Sequence, residues 1–471
     1  MSLQFQFAPL RSYFVVIALM LLSSPFWAQT SSRAKPVAMS SADTTALHQA
    51  LDAYDQGKLD TAEPILHTLA DRYPQSYEAN EALGSLYAET GDIQRALPYL
   101  TQACKVAQGQ AIAHANLGAA YFKLGKQSEA VKELSIAVKI DPGNRATQSN
   151  LGQALQAMGR PAEAAQAFGT AVTLDPGNAD LRYNLAVALF DSGSIDDAAK
   201  ALEPISNQQN LPEVQSLLGN IAEKQQRFQD AVEHLQAAAK LDPSEPNLYF
   251  LGFEFLQHWT FDPAIKVFEF GTKRYPQSQR MLLGLGIARY SMNDLAVAAP
   301  IFAQLLDTDP DSATYADLLG RSCSLMPDMS KGCEKLEGFA ETHPKNATVA
   351  TYAAASILHR SNQDDDLATA GKLLDQAIAL DPKLAEAHFQ RGLLLQMRAQ
   401  WPESIAELQT AISLKPASSK AHYRLALAYS HTSQRDKAQQ EIALQKQYSE
   451  QEKDGLNARL KEVKTFLIAA P

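Results

Sequence analysis

Cysteine is scarce: three residues in 471, at Cys104, Cys323 and Cys333. That excludes a scaffold held by many disulfides and a four-cysteine zinc site. Basic residues are not in excess. Lys and Arg number 42 against 52 Asp and Glu, a net charge of -10, whereas a nucleic-acid binder needs a basic patch. The apolar run Tyr13–Leu22 is only ten residues long, against the ~20 of a comfortable membrane span. H-E-x-x-H, G-x-x-x-x-G-K-[ST] and G-x-S-x-G are all missing, so no familiar zinc, phosphate or nucleophile motif is written in the chain. Gly284-Leu285-Gly286 matches part of a dinucleotide fingerprint but falls inside a predicted helix with no strand before it, which reads as packing. What the chain does have is 46% hydrophobic residues, enough for a folded globular protein.

The N-terminal segment 1–28 reads as a secretory signal peptide. Arg11 precedes the apolar run, Ser23, Ser24 and Pro25 break it, and Ala28 offers a small residue before polar sequence. Phe26 stands where a small residue is usual, three back from a cut after Ala28, which leaves an uncleaved N-terminal anchor or a buried helix open. No cysteine lies near the cut, so lipid anchoring is not expected, and there is no twin-arginine pair. The segment 29–42, rich in Ser, Thr and Ala, reads as a flexible lead-in.

The rest keeps a clock. From Pro142 through Pro176, Pro243, Pro276, Pro310, Pro344 and Pro382 to Pro416, the successive spacings are 34, 67, 33, 34, 34, 38 and 34, and Pro74 lies 68 before Pro142. Other residues keep the same time. In the stretch from Ala111, Leu117-Gly118, Tyr121, Ala130, Leu134 and Ala137 have counterparts one period earlier in Leu83-Gly84, Tyr87, Ala96, Leu100 and Ala103. One period later stand Leu151-Gly152, Leu155, Ala164, Phe168 and Ala171. Such a period is the mark of a stacked-repeat architecture.

These positions resemble the tetratricopeptide repeat, with starts near 43, 77, 111, 145, 179, 212, 245, 279, 313, 351, 385 and 419. Twelve such units nearly fill 43–452, most of the chain. The resemblance implies an all-α, right-handed superhelical solenoid of helix-turn-helix repeats, the first helix of each lining a concave side. One unit cannot bury its apolar face alone, so neighbours must stack. Gly57, Gly91, Gly125, Gly159 and Gly193 recur at repeat position 15, where a left-handed residue closes the first helix, and Asn293 can do the same. The prolines end the second helices. The repeat from 179 lacks its proline and carries Ile205 for Ala; that from 313 has Gly332 for Ala and a turn at 326–328. About four extra residues near 361–370 suit a surface loop. Leu456, Leu460, Val463 and Leu467 make an apolar stripe, expected to form a capping helix over 453–471.

His114, His388 and His422 share repeat position 4 and lie one or more whole repeats apart, which favours packing over metal ligation. Cys323 and Cys333 sit on the two helices of one hairpin: in an oxidising compartment they form a disulfide, otherwise they are two small buried apolar residues, and Cys104 is left unpaired. The sequon at Asn346 is one match, as expected by chance in this length.

By the family's geometry, repeat positions 2, 5, 6, 9, 12 and 13 face the groove. Asn116, Asn150 and Asn184 share position 6 in successive repeats, an amide ladder able to pair with a peptide backbone. It resembles the ladder in the repeat arm of the protein O-linked N-acetylglucosamine transferase, without that enzyme's catalytic domain. Tyr249, Phe250 and Phe253, flanked by Leu217, Leu283, Ile287 and Tyr290, form an apolar stretch of the kind a binding hot spot needs. Lys420 and Arg424 occupy positions 2 and 6 of the last repeat, where chaperone-binding members of the family hold a C-terminal carboxylate, but Gln390 replaces the asparagine of that clamp. The expected function is a non-enzymatic scaffold outside the cytoplasm, periplasmic or secreted. It would bind extended or helical segments of protein partners in a concave groove, as exported repeat proteins of bacterial envelopes do in assembly or in polysaccharide or protein export. The alternatives are a self-associating architectural protein or a non-catalytic subunit of an envelope enzyme complex. No cofactor and no nucleic acid are expected, and membrane contact only if the N-terminal segment stays attached.

Overall fold

The computed structural model describes residues 39–205, 211–326, 331–360 and 363–469, with side chains at 331–334 and 456–469 excepted. The segment 1–28, expected to be a signal peptide, and most of the expected lead-in lie outside this range. Over the described residues helix follows helix with no strand. The helices pair into twelve hairpins, their two members here called A and B, typified by Ala111–Lys123 with Gln127–Ile140. No described helix is long and apolar enough to cross a membrane.

The recurring residues explain the hairpin. An ideal Cβ on Gly118 would lie 2.7 Å from Leu134, and one on Gly152 2.8 Å from Phe168, so only a bare backbone lets helix A meet helix B this closely. Ala130, Ala164, Ala198, Ala231, Ala264 and Ala298, at position 20, are fully buried across from it. Side chains of Ser76, Asn144, Asn178, Ser278, Ser312 and Ser418 accept a hydrogen bond from the backbone N–H three residues on, capping their A helices.

In the ten repeats where position 15 is described it is left-handed whatever residue stands there. The five glycines have φ between 69° and 86°, and Gln226, Trp259, Asn293, Ala399 and Ser433 take φ of 57–62° in their repeats. A Cβ in this region is disfavoured by about 1–2 kcal/mol. Ala399 is exposed, with little packing to lose. Ala399→Gly is therefore expected to stabilise the protein by about 0.5–1 kcal/mol after allowing for the looser unfolded chain; a chemical-denaturation midpoint that stays put or falls would contradict the account.

Three stretches depart from the expected pattern. The tenth A helix starts at Ala347, not 351, and of the stretch 361–370 expected to be a surface loop the residues from Asp364 on are helical. Both helices are longer than usual: Ala347–Arg360 has 14 residues and Asp364–Leu380 has 17, against 13 and 14 in the regular repeat. In the ninth repeat an ideal Cβ on Gly320 would meet the ring of Tyr352, from the following A helix, in place of the usual B-helix residue. The Tyr352 hydroxyl donates to Asp317 Oδ1 at 2.7 Å. The capping helix expected at 453–471 is not a separate element, because the last B helix runs unbroken over Arg435–Ala469. In the fifth repeat helix B is short, Ile195–Leu202, followed by a 3-10 turn that buries Ile205.

The chain divides into two compact bodies, one ending at Gln209 and the other beginning at Asn210. Within each, A helices touch the next A helix in line, as Ala111–Lys123 touches Arg145–Ala157 and Glu245–Gln257 touches Gln279–Ser291. A close approach of one B helix to the next is seen between Leu295–Thr308 and Lys331–Thr342, at the irregular ninth repeat. Closer spacing of the A row curves each stack with its A side inward.

Candidate functional site

Position 4 links one repeat to the next. Asn80 and Gln148 donate to the carbonyls of Pro74 and Pro142, at 3.3 and 3.0 Å. His388 and His422 reach Pro382 and Pro416 through Nε2, at 3.1 and 2.9 Å, and His114 reaches the Gln108 carbonyl at 3.2 Å. Each histidine also meets a carboxylate nineteen residues on, at Glu133, Glu407 or Glu441. His388 and His422 are thus packing residues.

The asparagine ladder is not uniform. Asn116 is buried, and its Nδ2 donates to Glu81 Oε1 at 2.6 Å and Ser85 Oγ at 3.2 Å. This corrects the expectation of three equivalent rungs. Burial pushes the Glu81 carboxyl above its usual range, and a buried carboxylate needs donors, so the Asn116 amide is used inside the protein. Asn150 is buried and Asn184 half-buried, and neither amide has a hydrogen-bond partner among the described residues.

In the second body the aromatic residues do come together. Tyr249, Phe250 and Phe253 are half-buried on helix A Glu245–Gln257. The Tyr249 and Phe253 rings stack with centroids 5.7 Å apart and planes 17° off parallel, and Tyr249 meets Phe250 edge-on at 6.0 Å. Leu283, Ile287 and Tyr290 continue the half-buried face on the next A helix, while Leu217 is buried. Sequence alone did not single out the polar clamp at its border. Arg280 holds Glu245 through two hydrogen bonds, the Nε one at 2.7 Å, and lies over the Tyr249 ring at 5.2 Å. The Arg280 hydrogen bond keeps the Glu245 carboxyl low, aided by Ser278.

An acid–histidine triad that sequence alone did not single out lies in the same body, with Glu254 buried and Glu223 and His258 half-buried. His258 Nε2 is 3.2 Å from Glu223 Oε2 and 3.4 Å from Glu254 Oε1, with the Phe228 ring 4.2 Å from the imidazole, centroid to centroid. Burial pushes the Glu254 carboxyl up. Burial also opposes the imidazolium, but hydrogen bonds to Glu223 and Glu254 outweigh it and carry His258 up to about 9. A signal for such pairs was in the numbering. Glu81/Asn116, Glu223/His258, Glu245/Arg280 and Asp317/Tyr352 are all 35 apart, one repeat plus one position, or plus two for Glu223/His258, where the repeat is 33 long.

Lys420 and Arg424 are exposed on the last A helix and form no ion pair among the described residues. The Gln390 amide is occupied, donating to Glu386 at 2.8 Å, so the remainder of a carboxylate clamp is not assembled there. Cys323 is disulfide-bonded and Cys104 is free and buried; the Cys333 side chain lies outside the described residues.

Tetratricopeptide repeat profiles match residues 47–108, 118–159, 155–221, 212–245 and 257–313. No curated protein sequence matches significantly. Among solved structures, that of Naa15/Naa10 bound to HypK-THB is 16% identical, with 86% of this chain and 68% of that one covered at a TM-score of 0.37. YrrB, described as a TPR protein with an unusual peptide-binding site, is 18% identical over 39% of this chain and 94% of its own, also at 0.37. The pilF protein of Pseudomonas aeruginosa is 22% identical over 44% and 94%, at 0.36.

Proposed function

Since the chain belongs to the tetratricopeptide repeat family, whose fold is typically a non-catalytic interaction scaffold, we propose that it holds a segment of a partner protein against the inward A-helix face of its second body. The observation that carries this reading is the half-buried row Tyr249, Phe250, Phe253, Leu283, Ile287 and Tyr290 on two successive A helices. Such rings offer large rigid contact area at low cost in conformational entropy. Arg280 and Glu245 at the border add a charged pair that fixes the direction of an incoming chain. Asn150 and Asn184 supply amides for a peptide backbone along the first body.

The place of action follows from the N-terminal residues. Arg11, the apolar run Tyr13–Leu22 and Ala28 support export, with work in the periplasm or outside the cell. Envelope assembly or polysaccharide or protein export are the settings that suit such a scaffold.

The test is selection of peptides from a random library on the chain from residue 29, followed by titration against the double variant Phe250→Ala with Phe253→Ala. Binding is expected to weaken by about 100-fold, the scale of a lost hot spot, with unchanged far-ultraviolet circular dichroism. Peptides that bind the variant as tightly as the parent, or a library that yields no binder, would refute the proposal.

A further inference from the structure

In the first body three side chains from three helices converge. Cys104 comes from Ile93–Val106, His114 from Ala111–Lys123 and Glu133 from Gln127–Ile140. The thiol sulfur, an imidazole nitrogen and a carboxylate oxygen all lie within 4.8 Å of one another. We propose that Cys104, His114 and Glu133 form a binding site for one thiophilic divalent cation, of which zinc is the type.

The donor set is that of a three-ligand zinc site, one thiolate, one imidazole and one carboxylate, with a fourth position left for water. Bonds of about 2.0–2.3 Å in a tetrahedron place ligand atoms roughly 3.3–3.7 Å apart. The cluster therefore needs only small side-chain shifts: the Nδ1 to Oε2 gap of 2.7 Å must open slightly, and the thiol must close in. The imidazole is already oriented: Nε2 lies 3.2 Å from the Gln108 carbonyl, which can only accept, so Nε2 donates there, while Nδ1 is turned to the cluster and shares with Glu133 Oε2 a hydrogen-bond proton that a bound cation would displace to solvent. A metal-bound histidine is oriented by this kind of outer hydrogen bond.

The chain holds its own comparison. The His388–Glu407 and His422–Glu441 pairs repeat the same geometry at two other repeat junctions. Ten residues before those histidines stand Ile378 and Ile412; ten before His114 stands Cys104. Where the pair serves packing alone, an aliphatic residue fills that position, and of these three junctions only that of His114 has a thiol in its place.

The surroundings also favour a cation. Glu81 is buried, and its Oε2 has no hydrogen-bond partner among the described residues. Binding a divalent cation would release the thiol proton to solvent and place two positive charges where the carboxylates lack them.

Cobalt(II) is the probe, titrated into the full chain after treatment with a chelator, without reductant so that Cys323 stays bonded. The expected result is one cobalt per chain, a thiolate-to-cobalt charge-transfer band in the near ultraviolet, and displacement by one equivalent of zinc. Cys104→Ile, which installs the residue used at the two other junctions, should keep the helicity and melting temperature of the metal-free protein. It should lose the band and weaken zinc binding beyond the ~10–100-fold that an outer-sphere partner is worth. Absence of a charge-transfer band in the parent chain overturns the proposal whatever the variant does, and so does a band that survives in Cys104→Ile.

Discussion

Phe268→Ala is expected to lower the unfolding free energy of the second body by about 4 kcal/mol. Phe268 lies on helix B Phe261–Arg274 and is fully buried. Its ring serves two repeats at once. An ideal Cβ on Gly252 would lie 2.6 Å from it and one on Gly284 2.4 Å, so the ring fills the space against the A helices of its own repeat and of the next. Glycine offers no side chain to relax into the hole, which places the cost toward the upper end of the usual range for loss of a buried ring. The same ring stands 6.5 Å from Tyr249, so its removal also withdraws support from the aromatic row proposed to bind partners. Urea unfolding followed by circular dichroism measures the effect, and a loss below about 1.5 kcal/mol would mean that the ring does not bridge the two repeats.

The second body is also expected to weaken as the solution becomes alkaline. His258 is pushed up to about 9 by Glu223 and Glu254 against the opposing effect of burial. A group whose pKa is raised on folding contributes stability that is complete below its unfolded value, near 6.5, and is lost as pH rises through the folded value. Glu254 is shifted in the same direction, so its ionisation also costs stability above the ordinary carboxylate range. Glu223 is lowered: burial opposes the shift, but the His258 hydrogen bond prevails, and the stability it contributes is lost only in acid. The expectation is a fall of about 2–3 kcal/mol between pH 6 and pH 10. His258→Gln should flatten this stretch of the profile, at the cost of leaving one buried and one half-buried carboxylate without their cation. A parent profile already flat from pH 6 to pH 10 would show that the triad is not charged as described.

The repeat architecture was legible because its constraints are steric and recur. Gly118, Ala130 and Leu134 mark contacts that tolerate few residue types, and the other regular repeats present the same demand. Legibility ended where backbone geometry persists without its usual residue. Gln226, Trp259, Ala399 and Ser433 occupy the left-handed position, yet nothing in their chemistry announces it. The acidic run at Asp364–Asp366 looks like a loop by composition; in the structure it is the first turn of a helix, where negative charge meets the positive end of the helix dipole. The polar contacts were less legible still. Asn116, Asn150 and Asn184 look alike in sequence, but what each does depends on the residue 35 before it. Glu81 engages Asn116, whereas Ala115 offers Asn150 nothing to bind. The acid–histidine triad and the Arg280 clamp follow the same rule, each with a different pair of side chains, so no recurring letter reveals them.

That offset bears on how such a chain could gain or shed a module. Excising the segment 111–144 would slide Asn150 into the register that Asn116 now occupies opposite Glu81, and the carboxylate would keep an amide donor. Excising 245–278 would instead bring Met292 opposite Glu223, in the place of His258, and leave an acid facing a thioether. The two bodies therefore differ in how freely their cassettes can be traded: the asparagine series makes one seam self-healing, while the acid–histidine seam admits only the neighbour it already has.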